Sequence, residues 1–271
     1  MTNEKIQLWI DQLIKHINEE EYPDIAGMLE LYQEDEYPFY IPDAYEFAGQ
    51  LYDCDTAKQL PLEVSKFMNE IYLEEIENGN FAAACDLGSL YYTGRIGVQD
   101  YTKAMYYYEI AANGGDRQAQ ENLGYCYYYG RDCEKDYKKA FHYFALGAFD
   151  GHIRSLYKIG DMYRNGYYVE KNEMEAYRIY RRCYETMTDE ARPLVGADVL
   201  MRLGDFAFEE IDEDADYELA LRYYQEAEQL FYKRLKDGDF LIKKCYEKVI
   251  ARQGEVREKM REELPDYSWT K

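Results

Sequence analysis

The sequence contains few of the residues and none of the motifs on which most enzymes and metal proteins depend. It has three histidines and six cysteines, and the cysteines form neither a C-x-x-C motif nor a regular pairing. No P-loop, dinucleotide-binding glycine motif, nucleophile elbow or H-E-x-x-H motif occurs. Acidic residues are so abundant that a pair of carboxylates is no sign of acid–base catalysis. We therefore predict a protein that is not an enzyme and has no cofactor and no metal site.

Basic residues and long apolar segments are also scarce. The chain has 32 Lys and Arg against 54 Asp and Glu, a net charge of −22, which argues against nucleic acid as a direct partner. No apolar run approaches ~20 residues, so we predict no segment that spans a membrane. Residues 1–17 carry charges throughout, unlike a signal peptide, and the cysteines show no disulfide pattern. Together these features predict a cytoplasmic protein.

The negative charge is concentrated near the N-terminus. Residues 1–79 contain 19 acidic and four basic residues, a net charge of −15, which leaves −7 for the rest of the chain. Such an excess can serve solubility alone, or it can steer the protein toward a basic partner. Both interpretations stay open at this point.

What the sequence has in abundance is repetition. A Leu-Gly or Ile-Gly pair recurs with spacings of 36, 36 and 44 residues, at Leu87-Gly88, Leu123-Gly124, Ile159-Gly160 and Leu203-Gly204. A second phrase, which begins with Asp or Asn and ends on Ala, follows with the same spacings at 100–104, 136–140, 172–176 and 216–220. Two motifs that keep step in this way belong to one repeating unit.

Each unit is expected to form two helices. The apolar residues of the first phrase recur at i, i+4, i+7 and i+8, which is one helix face. Gly94, Gly130 and Gly166 stand where this first helix is expected to end, and the Asp or Asn of the second phrase can cap the second helix. The glycine of each Leu-Gly pair lies inside the first helix, where it costs about 1 kcal/mol relative to alanine. We therefore expect a neighbouring helix to approach closely at that point.

The repeated pattern resembles the Sel1-like repeat, a relative of the tetratricopeptide repeat. The second unit matches it at Ala119, Leu123, Gly124, Tyr127, Gly130, Asp136, Lys139, Ala140, Tyr143 and Gly151. The third unit departs at Ser155, Ile159, Asn172 and Glu175, and the fourth has Glu210 in place of the terminal glycine. The resemblance implies an all-α fold, an α/α superhelical solenoid of helix-turn-helix repeats with helical caps. It also implies a scaffold or adaptor, without naming a partner.

The domain prediction follows from the extent of the repeats. Residues 81–228 form four repeats, residues 1–80 an acidic N-terminal helical cap, and residues 229–271 the C-terminal capping helices. Within the first cap, residues 48–52 could be a degenerate repeat helix, and helices are expected at about 4–18 and 61–78. Residues 34–42 and 209–216 are expected to be loops, and the eight extra residues around 186–196 should lengthen a turn between helices.

Helix geometry selects candidate binding residues. Positions two before, two after and five after the recurring Leu or Ile point away from the buried face at about 100° per residue. From these positions we predict a partner-binding set of Tyr92, Glu121, Tyr125, Tyr128, Tyr157, Asp161, Arg164 and Asp205. The four tyrosines would be anchors, and the acidic residues would pair with Lys or Arg of the partner. Other tyrosines, such as Tyr107, Tyr143 and Tyr223, are expected to pack between helices.

Two functions are compatible with these features. The first is a non-catalytic scaffold or adaptor that binds a segment of another protein, with basic residues, in an aromatic and acidic concave groove. Charge reversal at Asp161 with Asp205 should then weaken binding without lowering the melting temperature. The alternative is an acidic inhibitor of a basic enzyme, of the immunity-protein or antitoxin type. The partner's identity and the oligomeric state stay open.

Overall fold

The computed structural model describes residues 3–32, 43–54, 59–189, 191–209, 217–237 and 242–263. Within these ranges the protein is all-α, as predicted, and it divides into two compact units, Met1–Asp136 and Tyr137–Lys271. The N-terminal unit contains α1 (Asn3–Ile14), α2 (Pro23–Leu31), α3 (Ala44–Asp53), α4 (Leu62–Glu77), α5 (Phe81–Thr93), α6 (Tyr101–Asn113) and α7 (Arg117–Tyr129). The C-terminal unit contains α8 (Tyr137–Phe149), α9 (Ile153–Asn165), α10 (Glu173–Thr186), α11 (Ala197–Phe208), α12 (Tyr217–Lys236) and α13 (Lys243–Glu263).

The first four helices share one apolar core. Ile6 and Ile10 of α1 are fully buried with Phe47 of α3 and Phe67 of α4, and the rings of Phe47 and Phe67 meet edge to face at 5.4 Å. The helix predicted at 4–18 ends earlier, at Ile14. The helix predicted at 61–78 is confirmed as α4, while the predicted loop at 34–42 lies outside the described residues.

The repeat helices begin at the predicted Asp and Asn caps and end at the predicted glycines. Gly94 and Gly166 close α5 and α9 in the left-handed conformation, with φ of 75° and 69°. Asp100 accepts a hydrogen bond from the Lys103 amide at 2.9 Å and so caps α6. Asn172 caps α10 in the same way, because it accepts from the amide of Glu175 at 2.9 Å.

In three of the four repeats, the glycine inside the first helix makes room for an aromatic ring of the second helix. A Cβ atom added at the glycine would lie 2.7 Å from that ring in the pairs Gly88–Tyr108, Gly160–Tyr180 and Gly204–Tyr224. The expected close approach is confirmed at these three positions. The sequence did not indicate which tyrosines fill this space. Tyr107 and Tyr223, which were expected to pack between helices, are half-buried, and their rings pack against Tyr91 and Tyr184. Their sequence neighbours Tyr108 and Tyr224 are 2% and 0% exposed.

The extra residues between the third and fourth repeats lengthen a turn, as predicted. After α10 the chain makes a short connection and then a π-helical turn, Arg192–Gly196, which leads into α11. Arg192 forms an ion pair with Glu226 of α12, so the insertion is fixed to the next second helix.

Candidate functional site

The eight predicted binding residues differ in exposure, and four of them are buried. Tyr92, Tyr125, Tyr128 and Arg164 are half-buried, whereas the exposed fractions of Glu121, Tyr157, Asp161 and Asp205 are 1%, 6%, 7% and 3%. The expectation that all eight point away from the packed interior was therefore wrong for these four. The set also divides between the two compact units, with four residues in each.

In the C-terminal unit, Asp161 on α9 is the acceptor of several donors. The Tyr180 hydroxyl donates to it at 2.7 Å, and the Arg202 guanidinium donates through Nη2 at 2.7 Å and also through Nε. Lys158 Nζ lies 3.2 Å away. Burial alone would raise the pKa of Asp161, but these two cations and the tyrosine hold it well below its usual range. Asp161 is therefore an ionised residue that the chain itself neutralises.

Asp205 on α11 has a similar environment one repeat later. The Tyr224 hydroxyl donates to it at 2.8 Å, and Arg164 Nη1 of α9 donates at 3.2 Å. From α13, Lys248 Nζ lies at 3.3 Å and Arg252 Nε at 3.5 Å. Ion pairs to this one carboxylate thus connect α9, α11 and α13.

The arginines of this network also stack on aromatic rings. Arg202 lies 4.9 Å from the ring centre of Tyr157, and Arg164 lies 4.8 Å from that of Phe206. We call this network the ionic ladder; its members are Asp161, Arg164, Arg202, Asp205, Lys248 and Arg252. Because the ladder aspartates are buried and paired, we now expect reversal of Asp161 with Asp205 to lower the melting temperature, contrary to the expectation from the sequence. Reversal would place like charges together in the interior.

The N-terminal unit presents a different surface at the corresponding helices. The ring of Tyr92 packs 5.1 Å from that of Tyr101, and the ring of Tyr129 lies 5.0 Å from Tyr128 and 6.2 Å from Tyr125. All five are half-buried or exposed. We call Tyr92, Tyr101, Tyr125, Tyr128 and Tyr129 the aromatic face.

The aromatic face already holds one cation of its own chain. The guanidinium of Arg131 lies 5.2 Å from the ring centre of Tyr101 and 5.7 Å from that of Tyr129. Burial raises the pKa of Tyr92, and the nearby positive charge of Arg131 opposes that rise. The face is therefore chemically suited to guanidinium groups.

Asp86 on α5 lies in the same unit and has an unusual setting. It is half-buried and accepts a hydrogen bond from the Tyr45 hydroxyl of α3 at 2.9 Å. Burial raises its pKa; the Tyr45 hydrogen bond opposes the rise, and the charges of Asp116 and Asp53 add to it. Among the described residues, no basic side chain lies within ion-pair distance of Asp86.

Asp86 and Arg202 were missed by the sequence reasoning, although the repeats contain a signal for them. Each stands immediately before the recurring leucine, a position that helix geometry did not select. In the ladder this position faces the previous repeat, so Asp161 and Arg202 are 41 residues apart, as are Arg164 and Asp205. Opposite charges at these offsets in successive repeats would have indicated the ion pairs.

A further surface feature in the described part of the chain is a polar cleft. A cleft of about 470 Å³ lies at the start of α6, between Tyr91, Lys103 and Asp132, and its lining contains no histidine or cysteine. In the described ranges, no group of three or more His, Cys, Asp or Glu is placed to hold a metal ion. Nor is any helix in those ranges long and apolar enough to cross a membrane.

Comparison with known proteins agrees with the repeat architecture. The Sel1 repeat family model matches residues 81–116, 117–152, 153–183 and 197–230. The crystal structure of a Sel1 repeat protein from Oxalobacter formigenes is similar with a TM-score of 0.54 and 20% identity over 84% of each chain. The structure of c5321, a protective antigen of uropathogenic Escherichia coli strains with an SLR fold, gives a TM-score of 0.50 and 18% identity.

These likenesses differ in extent and concern the fold alone. The c5321 match covers 72% of this chain but only 41% of that protein, so this chain spans less than half of its length. No curated protein matches the sequence. The family model, however, covers just over half of the chain in four consecutive repeats, and two helices of the structure begin in each of them. The chain belongs to the Sel1 repeat family.

Proposed function

We propose that the protein is a non-catalytic scaffold that binds a segment of another protein along the aromatic face of its N-terminal unit. Sel1 repeat proteins generally act as protein–protein interaction scaffolds, which supports the first part. The observation that carries the second part is the cluster of half-buried tyrosines at Tyr92, Tyr125 and Tyr128. Tyrosine offers a rigid apolar ring and a polar tip at a small entropy cost, and it is enriched in protein interfaces.

The charge distribution supports a basic segment as the occupant. Residues 1–136 contain 27 acidic and 9 basic residues, a net charge of −18, whereas residues 137–271 contain 27 and 23, a net charge of −4. A field of this sign raises the rate of encounter with a positively charged partner. The proposed surface does not include the ladder residues Asp161, Asp205 and Arg164, because each forms an ion pair with a residue of a neighbouring repeat. Nor does it include Tyr157, because its ring packs against Arg202. Glu121 is left out because it is buried.

The test is capture of partners from the source cells by purified protein, with elution at rising salt and identification by mass spectrometry. Tyr125→Ala and Tyr128→Ala should each reduce capture of the partner at least fivefold. The matched control is Tyr106→Ala, which removes a 59% exposed tyrosine from the second helix of the same unit and should leave capture unchanged. Capture that is equal for all three variants, or absent for the unmodified protein, would contradict the proposal.

The alternative function, an acidic inhibitor of a basic enzyme, is favoured by the net charge of −18 in the N-terminal unit. It predicts one stoichiometric basic partner that elutes with salt and is toxic when expressed alone. Several partners, or one that stays bound at high salt, would favour the scaffold instead.

A further inference from the structure

Three aspartates on first helices of the described repeats are paired with tyrosines, at two different positions of the repeat. In each pair an aspartate accepts a hydrogen bond from a tyrosine hydroxyl, and the pairs are Asp86–Tyr45, Asp161–Tyr180 and Asp205–Tyr224. Two of the three hold cations of the same chain: Arg202 and Lys158 bind Asp161, while Arg164, Lys248 and Arg252 bind Asp205. The motif is therefore a cation-binding arrangement in this protein.

The third pair has no such cation among the described residues, and it is also built differently. Asp86 stands one residue before the recurring leucine and bonds a tyrosine of the earlier helix α3, whereas Asp161 and Asp205 stand two residues after the recurring Ile or Leu and bond a tyrosine of the following helix. Of the basic residues nearby in sequence, Arg95 is buried and donates to the carbonyl oxygens of Tyr52 and Cys54 at the end of α3. Arg131 stacks on the aromatic face. Asp86 is half-buried, so a side chain from outside can reach it.

We propose that Asp86, with Tyr45, binds an arginine side chain of the partner segment that lies on the aromatic face. This rests on the proposed function and adds to it the anchoring position and the residue that is recognised. In the part of the chain that the structure describes, four cations pair with Asp161 or Asp205 and also lie over an aromatic ring. Three of them, Arg164, Arg202 and Arg252, are arginines, and the fourth is Lys158, so arginine is favoured over lysine. A planar guanidinium can make both contacts at once, whereas an ammonium acts as a point charge.

The direct test uses a fluorescein-labelled peptide of four Arg-Gly repeats, whose binding is followed by fluorescence anisotropy. A second peptide carries citrulline in place of arginine, which keeps the shape and removes the charge, and a third carries lysine. The unmodified protein should bind the arginine peptide more tightly than either of the others. Asp86→Asn, which preserves an acceptor for Tyr45, should weaken arginine-peptide binding about tenfold, the scale of one charge-assisted contact.

The matched control is Glu77→Gln, which removes one exposed carboxylate from α4 in the same unit and should change the affinity less than twofold. Equal weakening by Asp86→Asn and Glu77→Gln would indicate attraction by net charge alone and would overturn the proposal. So would equal binding of the arginine and citrulline peptides.

Partner capture separates this proposal from the broader one. If Tyr125→Ala abolishes capture from the source cells and Asp86→Asn does not, the aromatic face is the binding surface and the assignment of Asp86 is wrong. If Asp86→Asn also reduces capture and Glu77→Gln does not, the arginine site is supported on the natural partner.

Discussion

The two units use the same helical framework and present opposite chemistry on it. In the C-terminal unit, the position before the recurring Ile or Leu carries Lys158 and Arg202, which pair with Asp161, while Arg164, Lys248 and Arg252 pair with Asp205. In the N-terminal unit the same position carries Asp86 and Asn122. The repeat therefore fixes where a side chain stands and leaves its charge to vary. Aspartates that pair with cations of the same chain, such as Asp161 and Asp205, are occupied by internal contacts. An aspartate without such a cation, such as Asp86, is suited to bind a cation of a partner.

The largest change in folding stability, and the strictest test of this comparison, is expected from substitution of Asp161. Asp161→Asn keeps an acceptor for Tyr180 but removes the buried carboxylate that both Arg202 and Lys158 contact, leaving Arg202 paired with Asp198 at 3.7 Å. Removal of one partner of a buried ion pair costs about 3–5 kcal/mol, so urea unfolding should show a loss of this size. Glu170→Gln, at an exposed position of the same unit, is the control and should change stability by less than about 0.5 kcal/mol. A loss as small for Asp161 as for Glu170 would mean that the ladder does not stabilise the fold.

A second experiment tests whether the helices of the two units pack in the same way, so that the units differ only in their charged side chains. Gly88→Ala and Gly160→Ala should both destabilise the protein by about 1–3 kcal/mol, because in each case the added Cβ would lie 2.7 Å from a tyrosine ring. The contrasting variant is Gly254→Ala in α13, where no atom lies within 4 Å and alanine should stabilise the helix by about 0.5–1 kcal/mol. If Gly88→Ala is tolerated and Gly160→Ala is not, the units also differ in how their helices pack.

The shared framework could be predicted from the sequence because it follows from local rules. Helices end at Gly94 and Gly166 because these residues adopt positive φ, and helices begin at Asp100 and Asn172 because these side chains cap them. Each effect depends only on residues that are close in sequence. The site could not be predicted as fully. Helix periodicity gives the direction of Asp161 but does not show that Arg202, 41 residues later, lies against it. Whether a side chain at such a position is exposed or buried depends on the charged residues of the next repeat that lie against it.

The acid dependence of stability should report the ladder. The folded-state pKa of Asp161 is lowered, so its contribution is fully present above its unfolded pKa of about 4 and is lost as the pH falls toward the folded value. By pH 3 the unmodified protein should lose about 1 kcal/mol from this group. The stability difference between the unmodified protein and Asp161→Asn should therefore narrow by about that amount between pH 6 and pH 3. A difference that stays constant over this range would contradict the pKa shift.

The smallest expected effect, at Asp86, has the opposite sign. Its folded-state pKa is raised, so the group favours folding fully only below its unfolded pKa and that contribution is lost as the pH rises through the folded value. At neutral pH the ionised carboxylate is partly desolvated beside Asp53 and Asp116. Asp86→Asn should therefore leave stability unchanged or raise it by less than about 1 kcal/mol, and the gain should vanish as the pH falls through the folded pKa.

Opposite responses to one chemical change at two aspartate–tyrosine pairs would show that the chain supplies the counterion in one unit and not in the other. If Asp86→Asn instead destabilised the protein at neutral pH as Asp161→Asn does, Asp86 would have a cation within the chain. An arginine from a partner would then have to displace that cation in order to bind. Such a result would mean that both units neutralise their aspartates with cations of the same chain. The aromatic face would then differ from the ionic ladder only in its half-buried and exposed tyrosines.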